Sequence, residues 1–600
     1  MEIFDIIVVG GGHAGCEASL AASRMGLNIM MITMDSSVIG KMSCNPSIGG
    51  LAKSQLAREV DALGGEMGKN ADATAIQFRV LNTKKGSAVR AYRVQSDKYL
   101  YAQRMQRIVA SQENLTVKNG MVTHLLMDGD KVKGVSLEDG EDCFSKALVI
   151  TSGTFLNGYI HRGLKGYDGG RDGENASVGL SDALQEMGFR LGRLKTGTPA
   201  RIDMQTINYE GLLDQPSDVP LRTFSFFPPK ERLDHISCHV TYSNFKTHKI
   251  VENNLDCSPL FTGKIKGIGP RYCPSFEDKI VRFPERERHQ IFLEPESLST
   301  NEVYVNGLST SLSKEVQLEM IHSIEGLEKA KVLRYGYAVE YDFLFPNQLN
   351  PTLETKNIEG LYLAGQVNGT SGYEEAAAQG LVAGINAALK IKKEKPLTLS
   401  RDESYIGVLI DDLITKNTEE PYRMFTSAAE NRLYLRNDNA DMRLTEYGYR
   451  VGLIPYAQYC DFLDKKKTLS KELKRLKGLI VRDPKMKALL KGGGEDISQY
   501  PVSPELPTIS DDLKELVMSE IKYEGYLLRQ NKRLEKVKHL DNVKIPKGFS
   551  FENLQGLKKE AKEKLAQVLP VNLGQASRIM GVSPADISVL MIHIEKYRKS

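Results

Sequence analysis

The sequence predicts an α/β protein: a large nucleotide-binding domain interrupted by a β-rich insertion and followed by an all-α C-terminal domain. Three observations carry this. A strand, a glycine turn and a helix open the chain between Phe4 and Asp35, and a second strand, glycine and small-residue helix stand between Asn357 and Gly384. Beyond about Lys395, strand-like runs give way to helical patterns rich in Lys and Glu.

In the opening stretch, Ile6, Ile7, Val8 and Val9 are β-branched at every position, a run too short for a helix and suited to a strand buried on both faces. Gly10, Gly12 and Gly15 follow in G-x-G-x-x-G spacing, which permits a tight turn, close approach of a pyrophosphate and close packing of helix on strand. A helix from about Ala14 to Met25 points its first amides at the phosphates. Asn28 to Thr33 reads as the second strand. Asp35 lies twenty residues after Gly15, where a ribose-binding carboxylate is expected. A lone glycine motif is weak; strand, glycines, helix, strand and acid in that order predict dinucleotide binding.

The second matched piece chooses among dinucleotides. Ile358 to Gln366 is a strand ending at Gly365, and the helix begun at Ser371 or Gly372 carries Glu374 and Glu375 in its first turns. Two such pieces at opposite ends of a domain of roughly 390 residues favour FAD over NAD, hence a Rossmann-like FAD-binding domain of glutathione-reductase type. The expected organisation is a FAD-binding part at 1–199, with a small β insert at about 92–146, and an inserted domain at 200–281. The second FAD-binding part follows at 282–395, a helical domain at 396–549 and a C-terminal helical subdomain at 550–600.

At 600 residues the chain has room for several domains, and with 41% apolar and 26% charged residues it is an ordinary globular composition. No run approaches the eighteen or so apolar residues of a membrane helix, so no membrane association is expected. The first strand begins almost at Met1, which predicts no leader and a cytoplasmic address. Seven cysteines, with no C-x-x-C pair and no zinc spacing, predict reduced thiols and no structural metal. A net charge of +4 is mild, so its distribution matters more than its sum.

Two cysteines stand in distinctive settings. Cys44 is central to a glycine-bounded loop, Gly40 to Gly50, which Pro46 keeps from being helical; a loop against a cofactor and a thiol filling a packing hole are equally open readings. Cys273 lies between Pro270 and Pro274, with Arg271 and Lys279 near. Cations stabilise a thiolate, the nucleophilic form, although Glu277 and Asp278 can neutralise them and leave it inert. Arg79 to Arg107 carries eight cations against Asp97, with Phe78, Tyr92, Tyr99 and Tyr101 among them, and Lys465 to Lys491 carries eleven against Glu472 and Asp483. Both read either as nucleic-acid surfaces or as solvated helix faces. Val117 to Glu138 reads as a hairpin turning at Asp128-Gly129-Asp130.

The blocks GGGHAG (Gly10 to Gly15), MSCNPSIGG (Met42 to Gly50), GPRYCPSFEDK (Gly269 to Lys279), AGQVNGTSGYEEAAAQG (Ala364 to Gly380), EPYRMFTS, DNADMRLT, IKYEGY and LGQASRIMGVSPADIS resemble the FAD-binding large subunit of tRNA uridine 5-carboxymethylaminomethyl modification enzymes, the MnmG/GidA family. The resemblance covers nearly the whole chain. It implies a homodimer that joins a dimeric GTPase, MnmE, through the C-terminal helical subdomain. With FAD, NADH and methylenetetrahydrofolate, that complex installs an aminomethyl-type group on C5 of the wobble uridine of certain tRNAs. It implies FAD contacts at Gly10, Gly11, Gly12, His13, Ala14, Gly15, Val122, Ser177 and Gln366, beside the Asp35 and Gly365 of the glycine motifs. It implies an NAD-associated segment at 269–283, with Gly269, Pro270, Arg271, Tyr272, Lys279 and Phe283, and catalytic thiols at Cys44 and Cys273. Either thiol could add to uracil C6 and make C5 nucleophilic, the other assisting. Departures are small: Cys16, Phe276, Ala428 and Asn431 stand where the family favours other residues.

Three other readings compete. A folate- and FAD-dependent tRNA uridine-54 methyltransferase lacks the long helical extension; a non-catalytic flavin scaffold would have no use for both cysteines; a thiol-disulfide oxidoreductase would carry C-x-x-C.

Overall fold

The computed structural model describes residues 2–599 except 231, 272–273, 417–418, 488, 491–499, 502–508, 547 and 553. The opening stretch folds as its pattern requires: β1 (Ile3–Val9), α1 (His13–Arg24) and β2 (Ile29–Thr33). Val8 and Val9 pair in parallel with Met31 and Ile32 on one side and with Val149 and Ile150 on the other, so Ile6, Ile7 and Val8 are fully buried. The sheet runs Leu115–Asn119, β2, β1, Asp142–Ile150, Lys131–Leu137, Val122–Asp128, with Leu361–Leu363 added in parallel to Asp142–Ile150. The two glycine-motif pieces therefore share one sheet.

Their helices share one interface. A Cβ on Gly380 would lie 2.1 Å from the Ala14 carbonyl oxygen, and one on Gly384 would lie 2.4 Å from that of Ala18. Helix Tyr373–Ile391 thus lies backbone to backbone on α1, which only small residues on both faces permit.

Two expected boundaries need correction. Residues 92–146 are not a separate insert. Leu115–Asn119 is the parallel edge strand beside β2, and the hairpin Val122–Asp128/Lys131–Leu137, turning at Gly129 (φ +59°), continues the main sheet through Asp142–Ile150. Parallel pairing with a strand some eighty residues earlier leaves no local signature. The inserted domain does not end at 281. Its six-stranded sheet joins Arg201–Asp203, Leu213–Gln215, Cys238–Tyr242, Gln290–Pro295, Glu302–Asn306 and Val332–Arg334, around a core including Phe276, Ile291, Val305 and Met320. Its strands after 281 alternate like any others, and only their partners reveal which sheet they join.

The segment Arg79 to Arg107 is also corrected. Phe78, Tyr92 and Tyr101 are core residues, unavailable for stacking on bases. Arg79 pairs with Asp218 (3.2 Å), Arg93 with Glu294 (2.5 Å), Arg104 with Glu66 (3.0 Å) and Lys98 with Glu296. These four cations join elements inside the protein, whereas Lys84, Lys85 and Arg107 stay exposed.

Beyond the nucleotide domain lie Tyr405–Thr415, Ala440–Arg450 and the long helices Tyr456–Arg482 and Asp511–Asn542, the last two meeting at Leu476, Val517 and Ile521. The C-terminal helices Lys559–Val568, Leu573–Arg578 and Pro584–Lys599 enclose their own core of Leu565, Leu573, Leu590 and Ile594. Arg578 ties that bundle to the body through Asp411 (2.8 and 2.9 Å). Among the described residues no helix is long and apolar enough to cross a membrane.

Candidate functional site

A cavity of about 1690 Å³ opens where the carboxyl ends of β1, β2 and Asp142–Ile150 meet the Cys44 loop, the inserted domain and the N-terminus of helix Tyr373–Ile391. Ligands of open α/β sheets bind outside the carboxyl ends of the strands. The volume exceeds the roughly 300–1,000 Å³ of an ordinary small-molecule pocket, which suits a dinucleotide with a second occupant.

The glycine turn forms one wall. Gly10 has φ +107°, and a Cβ there would lie 2.6 Å from the Thr151 carbonyl oxygen; a Cβ on Gly15 would lie 1.8 Å from the Gly10 oxygen. At Gly12 a Cβ would meet nothing within 4 Å, so the backbone there faces open space. No side chain caps α1, and no acid stands in its first turn. Its leading N–H groups, which have no intrahelical acceptor, are left to an anion. Asp35 lines the cavity and accepts from Ser37 N (2.8 Å); hydrogen bonds from the Ser37 side chain and then from its N–H hold its carboxyl below the usual range, so it is ionised at neutral pH. Val122, Ser177 and Gln366 also line it, Gln366 donating to the Tyr341 hydroxyl (2.9 Å). Gly15 and Gly365 stand behind the lining; Gly365 (φ +88°) donates to Gln379 (3.2 Å).

His13 is buried, stacks on Tyr373 with ring centroids 4.4 Å apart, and among the described residues has no partner at Nε2. Burial, with the Arg171 cation second, pulls its pKa down to about 3, so it faces the cavity as a neutral ring.

The opposite wall carries the thiol. The Cys44 N–H donates to the Tyr373 hydroxyl (2.7 Å), its carbonyl accepts from Arg201 Nη2 (2.9 Å), and its Sγ lies 3.4 Å from the Tyr304 hydroxyl. Behind it, Glu374 accepts from Gly49 N (2.6 Å) and Lys53 (3.1 Å), and Glu375 accepts from Lys53 (3.1 Å) and Met424 N (3.3 Å). Burial works against the Lys53 charge, and the two carboxylates outweigh it, so its pKa is raised. The two acids thus do more than complement a helix dipole: they clamp the Cys44 loop and the 420s segment onto the N-terminus of helix Tyr373–Ile391.

Of the 269–283 segment, Pro270 and Lys279 line the cavity, Lys279 donating to the Gly307 carbonyl (2.7 Å). Gly269 lies against Lys195 outside the lining. Arg271 is exposed near Glu420 (3.7 Å), and Phe283 is exposed at the end of the short helix Phe276–Arg282. Tyr272 and Cys273 lie outside the described residues. Glu277 is buried and accepts from Ser311 N (3.1 Å). Sequence reasoning missed Arg201, Tyr304, Tyr373 and Lys53. Tyr304 sits in Glu-Val-Tyr-Val-Asn, an unremarkable strand pattern, and only the insert's docking brings it to Cys44. Among the described residues no cluster of His, Cys, Asp and Glu could hold a metal ion.

A twisted sheet with an uncapped glycine-loop helix, a second glycine-ended strand feeding an adjoining helix, an inserted sheet domain and a helical tail define an α/β protein of the FAD-binding oxidoreductase type. The family model described as glucose inhibited division protein A matches residues 5–395, and one described as the tRNA modifying enzyme MnmG/GidA C-terminal helical bundle matches residues 533–600. The chain belongs to the MnmG/GidA family. It is 51% identical over 613 residues to the tRNA uridine 5-carboxymethylaminomethyl modification enzyme MnmG of Thermodesulfovibrio yellowstonii, covering 99% of this chain and 98% of that one. It is 50% identical over 615 residues to the same enzyme of Geobacillus kaustophilus, with the same coverage. The form II crystal structure of Aquifex aeolicus GidA superimposes with a TM-score of 0.90 at 46% identity, covering 99% of this chain and 98% of that one.

Proposed function

We propose that this chain is a cytoplasmic tRNA uridine 5-carboxymethylaminomethyl modification enzyme, acting at C5 of the wobble uridine with FAD, NADH and methylenetetrahydrofolate. The observation that supports this most is the position of Cys44. A thiol held by three elements faces the same cavity as the glycine turn.

The residues present fit FAD. Gly12 leaves its side of the turn open, the first amides of α1 are uncapped, and Asp35 is an ionised acceptor for ribose hydroxyls. Bound there, FAD would supply hydride chemistry, and the 269–283 segment would hold the NADH that serves as reductant. The protein's own part is different. The α1 amides and Asp35 fix the dinucleotide, neutral His13 packs without adding charge, and the Lys53–Glu374–Glu375 clamp fixes the Cys44 loop. A Cys44 thiolate adding to uracil C6 forms the S–C6 bond and moves the C5=C6 electron pair toward C5 and O4, so C5 can attack a one-carbon electrophile. Cys273 is the second thiol of this reading. The chain acts as a homodimer and meets its GTPase partner, MnmE, through the 550–600 bundle. The test is nucleoside mass spectrometry of tRNA from cells with and without this protein. Loss of the modified wobble uridine is expected; a change at uridine 54, or none, would refute the assignment.

A further inference from the structure

Arg201 and Tyr304 are directly opposed residues of neighbouring strands of the inserted sheet, and both are buried. The Arg201 guanidinium lies over the Tyr304 ring, 4.9 Å from its centroid. It cannot swing away, because it donates to Thr198 Oγ1 (2.6 Å), the Pro199 carbonyl (2.9 Å), Glu296 (3.2 Å) and the carbonyls of Ser43 (3.4 Å) and Cys44 (2.9 Å). Glu294, in register with Tyr304 on the next strand, is itself fixed by Arg93 (2.5 Å) and Asn306 (3.0 Å). A rigid phenol therefore places its oxygen 3.4 Å from the Cys44 sulfur.

The groups around Cys44 decide which of the two donates. Tyr373 faces the loop from helix Tyr373–Ile391 and Arg201 from the insert, with Arg171 beyond them. Behind Arg201, Lys98 and Arg334 share Glu296 with it and Glu302 with each other, and on the other side of the loop Lys53 is paired with Glu374 and Glu375. Burial opposes the Arg201 charge, and Glu296, followed by Tyr304 and Cys44, more than restores it, so this cation is permanent. The buried Arg201 guanidinium, bonded to the carbonyl of Cys44 itself, is the cation held against this residue, and a cation beside a sulfur favours its anion, which takes the proton-accepting role.

We propose that Tyr304 is a positioning residue for Cys44: its hydroxyl, aimed by the Arg201–ring contact, donates to the Cys44 sulfur and holds it as a thiolate. The inserted domain then both covers the cavity and sets the protonation of a thiol carried by the nucleotide domain. The inference builds on the reading of Cys44 as the reactive thiol, yet its test does not use tRNA, so the two can fail separately.

The test is peptide-resolved alkylation by iodoacetamide of the full-length, flavin-loaded protein between pH 5.5 and 9.5, as wild type and as Tyr304→Phe. Losing one charge-assisted bond to the thiolate moves the Cys44 profile to higher pH and slows its alkylation near pH 6.5 roughly tenfold, while Cys460, in helix Tyr456–Arg482, is unchanged. Superimposable Cys44 profiles overturn the proposal. So does a shift to lower pH, which would mean that the thiol donates to the phenol. Should Tyr304→Phe unfold, revealed by rapid alkylation of buried Cys16, thiolate absorbance near 240 nm, taken as wild type minus Cys44→Ser, decides instead. A midpoint below the ordinary thiol value of about 8.5 supports the proposal, and one at or above it overturns it.

Discussion

Gly380→Ala isolates the helix contact on which the cavity's two walls depend. The new methyl would lie 2.1 Å from the Ala14 carbonyl oxygen and 2.6 Å from both the Ala14 carbonyl carbon and Cα, all backbone atoms that cannot rotate aside. Helix Tyr373–Ile391 must then move off α1, an overpacking cost at the upper end of the usual ~1–3 kcal/mol. Alanine's better helix propensity returns about 1 kcal/mol, leaving a net loss of about 2 kcal/mol, or roughly 4–8 °C in melting temperature for a moderately sized cooperative unit. Gly478→Ala is the matched control. It is also a helix-interior glycine, but nothing lies within 4 Å of its would-be Cβ, so it gains up to about 1 kcal/mol. Thermal unfolding of the two variants, with flavin affinity measured alongside, decides the matter. Gly380→Ala as stable as Gly478→Ala would refute the reasoning, since the two would then differ only in a contact that does not matter.

Other consequences are equally direct. Gly12→Ala keeps the fold, because its methyl enters open space, but lowers FAD affinity measured by flavin fluorescence; Gly10→Ala, at φ +107°, loses both stability and flavin. Lys53→Met strands Glu374 and Glu375, whose side chains are 3% and 0% exposed, and lowers unfolding free energy in urea by about 3–5 kcal/mol. His13 is depressed in the folded state, so its stabilising contribution is full above pH 6.5 and is lost as pH falls toward 3. The stability difference between wild type and His13→Gln in urea therefore shrinks by a few kcal/mol between pH 7 and pH 4. Lys467, Lys471 and Lys474 form one exposed helical stripe without ion pairs among the described residues; changing all three to Gln reduces the salt dependence of tRNA binding by about two to three logarithmic units of slope.

The sequence announced those parts of the molecule whose chemistry is local. The strand of four β-branched residues, the glycine turn and the acid after β2 stand where their spacing put them, because a pyrophosphate cradle is written in one contiguous stretch. What it did not announce arises between distant segments. Arg93 and Arg104 look like a nucleic-acid grip until Glu294 and Glu66 come to meet them. Strand Glu302–Asn306 looks like a return to the nucleotide domain until it pairs with Gln290–Pro295 and Arg201–Asp203. Tyr304 reaches Cys44 across 260 residues of chain. Cys44 itself left a reactive thiol and a packing residue equally open, and its setting among Tyr304, Tyr373 and Arg201 is a property of the assembled domains.

A crystal structure of the flavin-loaded protein decides whether the glycine turn and the Cys44 loop serve a single ligand. The account predicts the dinucleotide phosphates on the first amides of α1 and the flavin ring in the same chamber as the Cys44 sulfur. Phosphates bound elsewhere, or a ring walled off from that sulfur by Tyr373, would contradict it.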